Sequence, residues 1–262
     1  MKISRIKTQA GISYAHVEGN EFHLIAGDPF NEIVTTGEKI AFDKSLLCAP
    51  VEPRQIIAIG ANYRKHCEEC NVPIPPRPVV FQKAVNSLVG PGESVVIPRV
   101  APDEVDYEAE LAIVIKKPTK HVAEKDVNDY IFGVTCANDI SARDVQVRLD
   151  TQWDRGKSFD TFCPLGPWVE TEADYSNLGI KLILNGQVMQ CARTDDMIFS
   201  VPFLVSYLSD CMTLYPGSVI LTGTPWGVGM GRDPQVYLKS GDSMTVEIES
   251  VGKLVNPVEA ET

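Results

Sequence analysis

Val105-Asp106-Tyr107-Glu108-Ala109-Glu110-Leu111-Ala112-Ile113-Val114-Ile115 decides how this 262-residue chain is read. Side chains alternate faces along a strand, so Asp106, Glu108 and Glu110 share one face, which continues through Ala112 and Val114. Tyr107, Leu111, Ile113 and Ile115 form the other face. Apolar residues on both faces describe a strand covered on both sides. Carboxylates entering such a place repel one another and lose hydration. A hard divalent cation relieves both, because Mg2+ and Ca2+ take oxygen ligands. Taken alone, the run reads equally well as a solvated acidic strand end.

Further strands are expected at 55–60, 79–82, 94–98, 108–116, 131–138, 180–185, 187–193, 218–223 and 243–250, each an apolar or alternating run bounded by turn residues. Asn185-Gly186 between two such runs is a strong hairpin signal. Helices are fewer: 62–70, 122–130 and 200–211, the last with Ser200 as N-cap and Pro202 in its first turn. Residues 1–50 read as a small β-rich domain with a hairpin turn at Gly19-Asn20. Pro50 and Pro53 mark a linker, and a catalytic domain is expected over 54–257. Many strands, few helices and no βαβ rhythm predict an α+β, β-dominated fold rather than a doubly wound sheet.

Apolar residues make up 44% of the chain and charged residues 23%, enough for a substantial core with an ordinary surface. The formal charge of −11 argues against non-specific binding to nucleic acid or an anionic membrane. Met1-Lys2-Ile3-Ser4-Arg5 reads as the start of a strand rather than a secretory leader, and no apolar run reaches transmembrane length. Seven irregularly spaced cysteines do not form a disulfide framework, so a cytoplasmic protein with free thiols is expected. Cys67-Glu68-Glu69-Cys70 is the only CxxC and lacks a second pair at zinc spacing.

Four further segments can carry chemistry. In Gly60-Ala61-Asn62-Tyr63-Arg64-Lys65-His66-Cys67-Glu68-Glu69, His66 and Glu69 share a face of a short helix. A carboxylate beside an imidazole raises its basicity and fixes its tautomer, as a general base requires, although a surface histidine beside a solvated acid has the same spacing. Asp139 follows an apolar strand and is readable as an oxygen ligand or as a helix N-cap; Arg143 and Gln146, three apart, face one site. Gly156-Lys157-Ser158 lacks the first glycine of a phosphate loop, but Lys157 among Phe159, Phe162 and prolines suits a partly buried positive charge. Backbone N–H groups of the glycine-rich loop 223–231 could hold a carboxylate.

Together these motifs, Gly60 to Glu69, Asp106-Tyr-Glu108-Ala-Glu110-Leu, Asn138-Asp139 to Gln146, Gly156-Lys157 to Pro167 and Gly223-Thr224-Pro-Trp-Gly-Val-Gly, resemble the fumarylacetoacetate hydrolase family in kind and order. The resemblance implies a mixed β-roll or sandwich domain, a homodimer, and Mg2+ or Mn2+ (Ca2+ in some members) held by Glu108, Glu110 and Asp139. It further implies His66 and Glu69 as an acid/base dyad on a lid-like segment, with Lys157 near the metal. Arg143, Gln146, Thr224 and Lys83 match substrate-binding positions. The implied substrates are small 2-oxo acids and their enols. Hydrolysis of a C–C bond in an acylpyruvate is the favoured expectation, with isomerisation of dienedioates or decarboxylation of oxaloacetate-like acids as the alternative. A non-catalytic ligand-binding protein on the same fold, or a thiol-redox protein built on Cys67 and Cys70, are rivals of other classes.

Overall fold

The computed structural model describes residues 1–262. Its largest sheet has twelve strands: ten run from Thr35–Ala41 through Glu21–Ile25, Gly11–Glu18, Lys2–Thr8, Cys163–Glu170, Ile131–Asn138, Ala109–Ile115, Val219–Leu221 and Ile56–Gly60 to Val79–Lys83, and Leu47–Cys48 and Leu88–Val89 pair alongside Lys2–Thr8 and Cys163–Glu170. A five-stranded sheet holds Gln187–Arg193, Gly179–Leu184, Ser243–Ile248, Gly252–Ala260 and Val95–Ile97. Val105–Asp106 pairs separately with Ser141–Ala142.

The Ala109–Ile115 strand is buried along its whole length. Ala109, Leu111, Ile113 and Ile115 enter a cluster of 37 buried residues. Ala112 and Val114 point the other way into a cluster of 15. The neighbouring strands divide with the same period: Ile57 and Ile59 join the first cluster, Ile56 and Ala58 the second. The five-stranded sheet closes over the first face with Ile180, Leu182, Met244, Val246, Ile248 and Leu254. Helix Val201–Cys211 seals the same cluster with Val201, Leu204, Val205 and Leu208, one face at helical spacing. Ser200 accepts a hydrogen bond from the Phe203 N–H and caps this helix. Architecture and class match the β-dominated expectation, and no helix is long and apolar enough to cross a membrane.

The structure holds strands that the sequence reading does not list, and residues 1–50 share a sheet with the rest of the chain. Cys163–Glu170 is a central strand although it contains Pro164, Gly166 and Pro167, residues that ordinarily demote a strand. The ladder to Ile131–Asn138 tolerates them because its register shifts between Val134 and Cys136. Gly166, at φ +140°, leaves no room for a side chain against Pro91. Residues 1–50 have their own small cluster of Ile6, Ala15, Phe22, Leu24 and Leu47. They nevertheless continue the large sheet, since Lys2 and Ile3 pair with Glu170 and Val169. The polar run Thr35–Ala41 is an edge strand that needs no apolar face because it is mostly exposed.

Candidate active site

Strand pairing assembles three carboxylates. Ala109 lies opposite Asn138 and Glu110 opposite Ala137. Glu108, just before one strand, and Asp139, just after its antiparallel partner, therefore emerge side by side, and the Asp139 N–H donates to the Glu108 carbonyl at 2.8 Å. The chain is irregular at this point, and side-chain amides replace the missing ladder. Asn138 Oδ1 accepts from the Glu108 N–H (2.9 Å) and Gln190 Oε1 from the Ala109 N–H (2.8 Å). One oxygen each of Glu108, Glu110 and Asp139 lie within 4.8 Å of one another, all buried.

Cations surround two of the three. Lys157 Nζ donates to Glu108 Oε2 and to Asp139 Oδ2, both at 2.6 Å. Lys83 Nζ donates to Asp139 Oδ1 at 2.6 Å and to the Ile140 carbonyl at 3.2 Å. Arg143 Nη2 forms ion pairs with Glu108 Oε1 at 2.7 Å and with Asp106 Oδ2 at 2.8 Å. Burial pushes the Glu108 carboxyl up, but Lys157, Arg143 and His66 together hold it well below the usual range. Burial likewise lowers the Lys157 ammonium, and Asp139 and Glu108 more than restore it. Glu110 differs: no cation pairs with it, and its only donor is the Gly223 N–H at 2.7 Å. Burial, then Asp139 and Glu108, raise it well above the carboxylate range. Three oxygens about one small hard cation stand on the order of 3–4 Å apart. A buried all-oxygen set of nearly that spacing, with one member short of positive charge, fits Mg2+ or Mn2+.

Helix Arg64–Glu69 presents the dyad. His66 Nδ1 lies 3.3 Å from Glu69 Oε2, and Glu69 Oε1 accepts from the Gly227 N–H at 2.8 Å. Cys70 Sγ sits 3.8 and 3.9 Å from the two ring nitrogens of His66. Burial pushes the imidazole down, but its hydrogen bonds with Cys70 and with the accepting Glu69 carboxylate raise it to about 9. Cys67 turns away and its Sγ donates to the Ala61 carbonyl at 3.4 Å. Burial raises the Cys67 thiol, the reverse of what a reactive thiolate needs.

Two expectations are corrected here. Asp106 does not join Glu108 and Glu110, because the strand breaks at Tyr107–Glu108 and the Asp106 carboxylate faces Arg143 and the glycine-rich loop. That loop does hold carboxylates, but the protein's own: Gly223 binds Glu110, Gly227 binds Glu69, and Gly229 with Met230 binds Asp106.

A cavity of about 430 Å3 is lined by His66, Glu108, Glu110, Asp139, Arg143, Gln146, Lys157 and Thr224. Arg143 Nη1 donates to Gln146 Oε1 at 2.9 Å, so the two act together. Thr224 Oγ1 donates to the Ala109 carbonyl at 3.0 Å and accepts from Gln190 Nε2 at 2.8 Å. Lys83, expected to touch substrate, does not line the cavity; it lies behind Asp139, 2% exposed. Glu69 stands on the far side of His66 and borders a larger hollow of about 950 Å3 with Lys65, Trp226 and Arg232. None of the triad lines that hollow. Cys70 and Trp153 line the site without having been singled out for it. The four-residue step from His66 to Cys70 signals the first; Trp153 carries no local signal, since only folding lays its ring where a Gly60 side chain would stand.

Residues 55–259 match the family described as "Fumarylacetoacetate (FAA) hydrolase C-terminal", and residues 1–50 match "Rv2993c-like, N-terminal". Oxaloacetate tautomerase Fahd2a, mitochondrial, of Rattus norvegicus is 47% identical over 214 residues, covering 80% of this chain and 68% of that protein. The structure of 5-carboxymethyl-2-hydroxymuconate delta-isomerase from Mycobacterium smegmatis superposes with a TM-score of 0.91 at 38% identity over the whole of both chains. That of 2-hydroxyhepta-2,4-diene-1,7-dioate isomerase from Mycobacterium marinum gives 0.90 at 38% identity, covering 100% of this chain and 99% of that one. The chain belongs to the fumarylacetoacetate hydrolase family.

Proposed function

We propose that the protein is a divalent-metal-dependent enzyme that interconverts keto and enol forms of a small 2-oxo acid. The observation that carries this reading is one cavity bordered both by the buried triad Glu108, Glu110 and Asp139 and by His66. Mg2+ or Mn2+ held by the triad would supply Lewis-acid polarisation of the 2-oxo group.

The remaining work falls to the chain's own side chains. Arg143, braced by Gln146, offers its guanidinium to the substrate carboxylate. Glu69 takes a hydrogen bond from Nδ1–H of His66 and leaves Nε2 to accept a proton from C3 of the acid. The same nitrogen returns the proton when the reaction runs backwards. Lys157 orients Glu108 and Asp139 and helps to hold Glu108 ionised. Tautomerisation needs only this transfer and a matching gain or loss of a proton at the C2 oxygen through solvent, whereas hydrolysis also needs a water aimed at a distal carbonyl. The names of the relatives support the isomerase alternative over the hydrolytic expectation. Seven free cysteines support a reducing compartment.

The test is a panel of oxaloacetate, dienedioates and acylpyruvates, assayed with EDTA and with Mg2+ or Mn2+. Metal-dependent enol–keto conversion, reduced about 100-fold or more in His66→Ala, is expected. Full activity in His66→Ala, or in EDTA, overturns the proposal. Release of pyruvate from acylpyruvates at a higher kcat/KM than tautomerisation would restore the hydrolytic reading.

A further inference from the structure

Asp106 is fully buried and every position on its carboxylate is used. Oδ1 accepts from the N–H groups of Tyr107 (2.8 Å) and Gly229 (2.7 Å). Oδ2 accepts from the Met230 N–H (3.0 Å) and from Arg143 Nε (2.8 Å). It has no lone pair left for a metal, and of the residues that line the cavity it binds only Arg143 and the Met230 N–H. Its other partners all belong to Tyr107 and to the start of the short turn Gly229–Gly231.

The loop that carries this turn touches the dyad on both sides of Gly229, through Gly227 and Gly231. Gly227 donates to Glu69 Oε1. A Cβ on Gly231 would stand 2.5–2.6 Å from the Glu69 side chain, and one on Gly229 would overlap the Val236 carbonyl first and stand 2.6 Å from Asp106 Oδ1. The loop is thus wedged between two carboxylates, with glycine wherever a side chain would push either one out. Moving Asp106 releases the loop, and the loop carries the donor that aims Glu69 at His66.

We propose that Asp106 is a positioning residue that sets both halves of the reaction geometry: Arg143 directly, and Glu69 through the glycine-rich loop. The assignment rests on the functional reading above, in which Arg143 grips the substrate and Glu69 orients the base. In D106N one oxygen becomes an NH2 facing the Met230 N–H and Arg143 Nε, donors against a donor. Loss of such an orienting group costs about 10–100-fold in activity.

The experiment measures kcat, KM and Mn2+ affinity by calorimetry for wild type, D106N and G231A, with melting curves to count folded protein. D106N should lower kcat by about 10–100-fold and raise KM, with Mn2+ affinity within about threefold of wild type. G231A displaces Glu69 but touches neither Arg143 nor Asp106, so it should lower kcat and leave KM unchanged. Loss of Mn2+ binding in D106N makes Asp106 a ligand and overturns the proposal. Unchanged kcat and KM per folded molecule make it merely structural and also overturn it. If D106N does not fold, G231A decides: unchanged kcat there shows that the loop does not place Glu69. No turnover in the wild type overturns the functional reading instead; a turning-over wild type with unaffected variants overturns the positioning role alone.

Discussion

Lys157 Nζ lies 2.6 Å from Asp139 Oδ2, with the two side chains 2% and 1% exposed. Neither charge is stable in that place alone. Breaking a buried pair from one side costs about 3–5 kcal/mol when the partner is left without a countercharge; here Lys83 still faces Asp139 and Arg143 still faces Glu108, so the cost falls toward the lower end. Lys157→Met should therefore lower the melting temperature on the order of 10 °C in EDTA. Saturating Mn2+ should return part of the loss by replacing positive charge beside Glu108 and Asp139. An unchanged melt in EDTA would show that the pair contributes nothing to stability.

Glu110 makes metal binding pH-dependent. Its carboxyl is raised by burial and by Asp139 and Glu108, so without metal it keeps its proton to higher pH than an ordinary glutamate. Binding of a cation must expel that proton, so apparent affinity weakens as pH falls and strengthens as pH rises toward the Glu110 pKa. Calorimetric titration with Mn2+ in buffers of different ionisation heat reads the released proton directly. Affinity independent of pH, with no buffer dependence of the heat, contradicts the placement of Glu110 in the ligand set.

The His66 imidazole is raised to about 9 by Cys70 and Glu69 against the effect of burial. As a base it must be neutral, so kcat/KM should climb with pH and level off near that value. Cys70→Ala removes one of the groups that raise it, and the climb should shift to lower pH. A pH–rate profile that stays in place in the variant would remove Cys70 from the account.

Gly223 joins fold and site. Its φ is +99°, and a Cβ there would stand 2.7 Å from Asn62 Cβ and 3.1 Å from the Ile59 carbonyl. Its N–H is the one donor to Glu110. Gly223→Ala should cost more than about 1 kcal/mol in stability, as expected where alanine must take a positive φ. It should also weaken Mn2+ binding. Denaturant melts and calorimetry check the two effects, and a variant with wild-type stability and affinity would refute both.

How far the chain could be read in advance followed the range of the interactions involved. The Ala109–Ile115 strand was visible because a strand covered on both faces is apolar in both parities. The dyad spacing was visible because three residues make nearly one helical turn. The 163–170 strand was not, because what compensates its prolines is a register shift in a neighbour about thirty residues upstream. Lys83 looked equivalent to any pocket lysine until folding put it behind Asp139.

By itself the sequence determined the β-dominated class and the local order of Glu108, Glu110, Asp139, His66 and Glu69, since these depend on periodicity and on neighbours a few residues away. Tertiary structure alone decided that Asp106 leaves the triad for the glycine-rich loop, that the loop's N–H groups are spent on the protein's own carboxylates, and that Glu110 stands without a cation. Each of those outcomes depends on which donor reaches a buried oxygen first, and the donors come from segments more than a hundred residues away in the chain.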